Sequence, residues 1–381
     1  MAFKDLSLMS DQSKNIVLFY PHIPKNSLKS LEKTLSTRWI GQGPMVDRFE
    51  KKLSKDFANN LSVISTGSGT DALHLAYLLA NIKKDDEVIA PVFTCTATNI
   101  PLLYIGAKIK FADLDKKTMN ISVKSVRRLI TKKTKAIICV HYGGLPCDLK
   151  ELQELASKFK IPLIEDAAHA LGAEYNNKKI GSVSDFTIFS FQAIKHITTG
   201  DGGALCIKNN KLLEKAKRLR WFGIDRKKKQ LGIWENDIKE IGYKYQLSDL
   251  GATLGYESLL EFKKILKHRR DIYQIYLDEL QKNKNIICVH EESKIKKHAA
   301  WFFTILTNQK DFLQKKLRSR GIETNQVHFR NDKYSIFKQF AKNSSFPNMD
   351  YIEDKYLVLP VHTKMSLKDA ARVAKEINRI L

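Results

Sequence analysis

Phe186-Thr-Ile-Phe-Ser-Phe-Gln-Ala-Ile-Lys195-His-Ile-Thr-Thr-Gly-Asp-Gly-Gly203 decides how the rest of this chain is read. The β-rich apolar run from Phe186 to Phe191 delivers one lysine at its end, and a Thr-Thr-Gly-Asp-Gly-Gly turn then reverses the chain. In so lysine-rich a sequence such a residue is by default a snorkelling surface cation. Upstream, however, Ile161-Pro-Leu-Ile-Glu-Asp166-Ala-Ala-His169-Ala-Leu-Gly172 ends a second apolar strand in an acid. Pyridoxal phosphate needs both partners: an amine for its Schiff base, and a carboxylate to keep its pyridine nitrogen protonated as an electron sink. The pair, not either residue alone, points to that cofactor.

The strand signals around this pair alternate with helical ones. Strands are expected at Leu61–Ser65, Glu87–Val92, Lys108–Asp113, Ala136–Tyr142 and Pro162–Asp166; helices at Asp71–Asn81, Ala97–Tyr104, Val123–Ile130 and Leu149–Phe159. This is the βαβ rhythm of an α/β fold with a parallel sheet and helices on both faces, so ligands sit where strands end. Gly203–Lys208 follows so short a connection that it is expected to run antiparallel to the rest. Before the alternation come an arm and a short helix, Ser27–Leu35, within residues 1–37. The turn Trp39–Pro44 and a covering helix over 45–57 follow. After it, an irregular charged excursion spans Trp221–Tyr245. One long helix is expected from Leu247 to Gln281, interrupted only at Gly251 and Gly255. A small α+β part then holds a strand at Trp301–Leu306, another at Glu323–Phe329 and a final helix from Leu367. The organisation is an arm (1–37), a large α/β domain (38–250), and a bridging helix with a small domain (251–381).

The chain has 381 residues, 43% of them hydrophobic and 28% charged, which suits a globular protein with a large core. No apolar run reaches membrane-spanning length and no secretory leader is evident, so the cytoplasm is the expected compartment, without a membrane partner. Cys95, Cys139, Cys147, Cys206 and Cys288 lack any Cys-x-x-Cys spacing, so neither disulfides nor a metal site is expected. The net charge of +24 raises the question of nucleic acid. The lysines are spread along the whole chain without a binding module, and a diffuse positive field also favours an anionic metabolite. A nucleic-acid partner is therefore not expected.

Around the lysine and the aspartate, further residues suggest a cup. Thr66-Gly-Ser68-Gly69-Thr70-Asp71 opens a helix, where small residues and backbone amides admit an anion; an ordinary cap at Thr70 or Asp71 is the alternative. Phe93, just beyond a strand, can stack on a planar ring, and Ser190 can offer its hydroxyl to a phosphate. His169 follows Asp166 by three and can reach the same face.

Ser68-Gly-Thr-Asp-Ala-Leu-His-Leu, Asp86-Glu-Val-Ile-Ala-Pro, Gly106-Ala-Lys-Ile-Lys-Phe-Ala-Asp-Leu-Asp, Glu165-Asp-Ala-Ala-His, Phe189-Ser-Phe and Lys195 to Gly203 stand in this order. In them the chain resembles the DegT/DnrJ/EryC1/StrS nucleotide-sugar aminotransferases over nearly its whole length. The resemblance implies the aspartate-aminotransferase fold (fold type I) with a mostly parallel seven-stranded sheet, pyridoxal 5'-phosphate, and a homodimer with shared active sites. It implies Lys195 as the Schiff-base lysine, Asp166 as the partner of the ring nitrogen, Phe93 as the stacking residue, and Ser68, Gly69, Thr70 and Ser190 as the phosphate cup. His169 would sit near the ring oxygen. His328 and Arg330, in Gln326–Asp332 of the small domain, can help close over the sugar nucleotide, with a structural role for both as the equal alternative.

Two departures stand out. Gly242-Tyr-Lys244-Tyr-Gln246 has lysine where the family often has the asparagine that reaches the neighbouring subunit's phosphate. The turn has Gly-Asp-Gly-Gly for the commoner Gly-Glu-Gly-Gly. A branch of the family that dehydrates keto-sugars replaces the lysine with histidine; here His196 comes next and Lys195 keeps its place. The implied reaction is transfer of an amino group from L-glutamate to a nucleoside-diphosphate-linked 4-keto-6-deoxy sugar, as in perosamine-type enzymes of O-antigen and lipopolysaccharide amino-sugar synthesis. A 3-keto-sugar aminotransferase, a dehydratase and a non-catalytic cofactor-binding regulator are the alternatives.

Overall fold

The computed structural model describes residues 15–381 apart from Asn236, Glu292 and Asn343; the first part of the expected arm lies outside the described residues. The centre is a seven-stranded sheet. Across it the strands run Ser62–Thr66, Gly203–Ile207, Phe186–Ser190, Leu163–Asp166, Thr134–Val140, Glu87–Pro91 and Lys108–Ala112. Only Gly203–Ile207 runs against the others, pairing antiparallel with both neighbours. The remaining pairs are parallel. The tight path from Phe191 through Gly200 and Gly202 leaves no room for a crossover helix, so the next strand must reverse.

These strands are buried on both faces, the condition under which near-continuous apolar runs such as Ala136–Val140 are stable. One apolar cluster packs on each face. The helix Gly69–Leu79 is buried almost all round, with Leu73, Leu75, Tyr77 and Leu79 among its enclosed side chains, so it is a core helix and not a surface one. Pro44–Phe57 covers the other side with Val46, Phe49, Leu53 and Phe57. Its start is capped from far along the chain: the Asp249 carboxylate accepts from the backbone N–H groups of Gly43, Met45 and Val46 at 2.7, 3.1 and 3.0 Å.

The expected long helix is two, Asp249–Leu260 and Phe262–Leu280, and the break falls at Glu261, not at a glycine. Gly255 is instead a packing position, since a Cβ there would lie 2.8 Å from the Phe49 ring. The C-terminal part holds a three-stranded antiparallel sheet, Ile287–Cys288, Phe303–Leu306 and Tyr356–Leu359. Its strand at 301 begins two residues later than expected. Glu323–Phe329 is not a strand. Its neighbourhood bonds in turn to the arm through Glu323 N–H to Ile16 O, 2.8 Å, and to the small sheet through Val358 N–H to Asn325 O, 2.8 Å, so no single ladder forms. Among the described residues no helix is long and apolar enough to cross a membrane. The five cysteines are free thiols.

Candidate active site

Register brings the chemistry to one edge. Thr66 and Ser190 both face Gly203 across their strands, and Asp166 faces Ile188, so the carboxyl ends of three parallel strands meet the start of the reversed one. A cavity of about 310 Å³ opens there, a size typical of small-molecule sites. Ser68, Gly69, Thr70, Asp166, His169, Ser190, Lys195 and His328 all line it.

Asp166 is 4% exposed. Its Oδ2 accepts the Thr98 hydroxyl at 2.7 Å and its Oδ1 the Ala168 N–H at 3.1 Å, while Thr94 and Thr98 share a hydroxyl hydrogen bond of 2.8 Å. Burial pushes the carboxyl upward; these donors and the Lys195 charge oppose it. Lys195 closes a turn through its N–H to Gln192 O, 2.9 Å, and its Nζ stands 3.8 Å from the Trp301 ring centroid. Burial lowers the amine to about 8, against the pull of Asp166.

The Ser68–Thr70 loop is built around glycines. A Cβ on Gly203 would lie 2.4 Å from Ser68 O, and one on Gly69 would lie 3.0 Å from Ser190 Cβ. Only glycine lets the three segments meet. The helix begins at Gly69 with Ser68 as its cap, its Oγ accepting the Asp71 N–H at 3.0 Å, so neither Thr70 nor Asp71 caps it. Thr70 is left facing the cavity at the positive end of that helix.

His169 stacks on Trp301 with centroids 3.7 Å apart, and His328 lies parallel beyond it at 5.4 Å. Burial, followed by Lys195, holds both imidazoles neutral, His328 down to about 3. His169 Nδ1 is buried and lacks a partner among the described residues.

Three expected site residues are elsewhere. Phe93 is 2% exposed and sits in the core against Tyr142 and Tyr356, 5.1 and 5.3 Å away. Its backbone pairs with Arg330, which turns the ring inward and leaves Thr94, Cys95 and Ala97 to line the cavity. Phe93 is therefore not a stacking residue in this geometry. Arg330 does not line the cavity either: its guanidinium is held by Asp332 at 2.7 Å, Asp350 at 2.5 Å and Glu353 at 2.9 Å. Those carboxylates raise an already strong base further. Lys244 is exposed, pairs through its backbone with Trp221, and carries its Nζ 5.3 Å from the Phe222 ring, outside this chain's own cavity. The residues that sequence reading passed over are Thr98, inside a helix, Cys95 and Trp301. A tryptophan opening a strand-like run was the one visible signal for the last.

A buried carboxylate, a half-buried amine, a glycine-lined helix start and an orphaned imidazole nitrogen meet the needs of a phosphorylated pyridine aldehyde. Comparison with known proteins agrees. The DegT/DnrJ/EryC1/StrS aminotransferase family matches residues 21–378, and the chain belongs to that family. The UDP-4-amino-4,6-dideoxy-N-acetyl-beta-L-altrosamine transaminase of Campylobacter jejuni is 35% identical over 374 residues, 96% of this chain and 97% of the relative. The GDP-perosamine synthase of Vibrio cholerae is 32% identical, covering 91% of this chain and 93% of its own length. Among solved structures, the PLP form of the Streptococcus pneumoniae protein Spr1654 superposes with a TM-score of 0.89 at 25% identity, over 96% of this chain and 98% of that one. The protein is an aminotransferase of the pyridoxal-phosphate-dependent type I fold.

Proposed function

We propose that the protein transfers the amino group of L-glutamate to the keto carbon of a nucleoside-diphosphate-linked 4-keto-6-deoxy sugar, acting as a cytoplasmic homodimer. The observation that carries this reading is that Lys195 and Asp166 line one cavity together with Ser68, Gly69 and Thr70. Support for the sugar class comes from the relatives named above for GDP-perosamine and for a 4-amino-4,6-dideoxy sugar.

Bound pyridoxal phosphate supplies an aldehyde that condenses with amines and a ring that takes up electrons when the bond beside nitrogen breaks. Lys195 tethers it and, once freed, takes the proton from the glutamate α-carbon on its neutral Nζ; burial favours that neutral form. Asp166 accepts the pyridine N–H, and the donors from Thr98 and Ala168 favour its charged state. Ser68, Gly69, Thr70 and Ser190 hold the phosphate. His169 and His328, which line the same cavity, would face the cofactor and the sugar. Lys244 would offer the second subunit's phosphate a point charge where the family often has an amide. In this reading 38–250 forms the cofactor-binding unit, and 251–381 closes over it.

Adding glutamate to the cofactor-loaded protein tests the first half. The visible absorbance of the lysine-bound cofactor must disappear, and an unchanged spectrum overturns the reading. A panel of nucleoside-diphosphate keto-sugars, with product regiochemistry read by NMR, then distinguishes the fourth carbon from the third.

A further inference from the structure

Trp301 is 1% exposed and reaches the cavity from the C-terminal part of the chain. Its backbone is tied on both sides: its N–H donates to Gly143 O at 2.9 Å, and its carbonyl accepts from Arg269 Nη1 at 3.2 Å. Arg269, itself 1% exposed, also donates to Val361 O at 2.7 Å. The approach is tightly specified. Ala300 takes a left-handed φ of 54°, and Gly143 leaves the space that Phe302 fills, where a Cβ would come within 2.8 Å of its ring. The indole Nε1–H donates to Ile194 O at 3.1 Å, the carbonyl immediately before the lysine. One face of the indole region carries His169 at 3.7 Å, and Phe19 stacks at 5.3 Å.

The Lys195 Nζ lies 3.8 Å from the indole centroid. Several groups surround it from the elements around the cavity: Asp166 from the sheet and Cys95 from a helix start act on the amine, His169 and His328 face it from the ring stack, and Asp201 lines the same cavity from the glycine turn. Asp166 and Cys95 act on the amine from a distance and make no hydrogen bond to it. Direct support for its charge therefore comes from a π face. Indole is the strongest cation platform among the side chains, and more so when both partners are desolvated.

We propose that Trp301 is a positioning residue for Lys195: its ring is the seat on which the ε-ammonium rests whenever it is not bonded to the cofactor, and its N–H fixes the turn that carries the lysine. This rests on the reading of Lys195 as the cofactor lysine. A seat of this kind serves a residue that must leave its bond and return to it each turnover. It keeps the amine beside the reaction centre, and it partly offsets the burial that would otherwise drive the amine still lower.

The test uses the cofactor-free protein, pulsed with acetic anhydride across a pH series. Peptide mass spectrometry reads acetylation at Lys195 against an exposed lysine such as Lys227. In the wild type the Lys195 midpoint lies below the ordinary lysine value. Replacing Trp301 site-specifically with mono-, di- and trifluorinated tryptophan weakens the ring's pull without changing its shape. The midpoint is expected to fall in steps, to about one pH unit lower for the trifluoro form. Trp301→Phe, which keeps a weaker face and loses the bond to Ile194, is expected to fall by about half a unit. A midpoint that stays flat or rises along the fluorinated series overturns the proposal, with the glutamate response of the loaded protein unaffected. A loaded protein that ignores glutamate while the series remains graded overturns the functional reading instead.

Discussion

Lys195 and Arg330 are both enclosed cations within reach of acids, and the structure treats them in opposite ways. Arg330 is ringed by Asp332, Asp350 and Glu353, which hold it charged and fixed. Lys195 has one carboxylate acting from a distance and an aromatic face in contact, and burial lowers it to about 8. Counting carboxylates in reach separates a brace from a reagent. A saturated cation holds segments together; an under-compensated one can give up its proton.

The sharpest way to break this contrast is Lys195→Arg, which keeps a charge but not a titratable amine. The glutamate half-reaction, followed by stopped-flow absorbance, is expected to slow by about 10⁴-fold or more. Asp166→Asn removes the distant carboxylate and should slow the same reaction by roughly 10²–10³-fold, with the acetylation midpoint of Lys195 falling because the carboxylate that favours its charged form is lost. Arg330→Met should do the reverse. Urea unfolding is expected to show a loss of about 3 kcal/mol, since three acids lose their shared partner, while the half-reaction rate changes little.

A fourth test concerns the rings beside Lys195. His169, His196, His298 and His328 are kept neutral by burial, their pKa values lowered. Below about pH 6.5 the unfolded chain takes up protons that the folded chain refuses, so stability falls as pH drops through and below that value. His141, paired with Glu165 at 2.8 Å, is the exception and opposes the trend. Urea midpoints should be lower at pH 5 than at pH 7.5, and equal midpoints would refute the account. The smallest effect is expected from Phe93→Leu: about 1–2 kcal/mol of stability from lost core packing, with cofactor affinity unchanged when titrated by fluorescence quenching. A marked loss of affinity would return Phe93 to the cofactor.

The parallel sheet and its one reversed strand were legible because buried strands read as apolar runs and glycines mark the turn between them. The lysine, the aspartate and the Ser68–Thr70 loop were legible for a related reason: strand ends and helix starts are local features, so residues placed there can be located without knowing the rest. What failed was direction and distance. Phe93 lies one step beyond a strand, and a pairing with Arg330 from far along the chain turned its ring into the core. Arg330 and His328 stand two residues apart, yet only His328 faces the cavity. The acids that hold Arg330 include Asp350, within the helix Pro347–Ile352, and Glu353 just past its end, which the local pattern did not connect with it. Asp249 capping Pro44–Phe57 is of the same kind.

The rim strand Ser62–Thr66 has a further consequence. Its neighbour in the sheet is Gly203–Ile207, the last of the seven to be made. At a synthesis rate of roughly 5–20 residues per second, its backbone leaves the ribosome roughly 7–28 s before that neighbour exists. Ser68 emerges early as well, yet the wall behind it is Gly203 and the side facing Gly69 is Ser190. The nascent polypeptide therefore has no finished loop of this shape until the last of these segments arrives, and cofactor capture must wait until slightly more than half of the chain has been made.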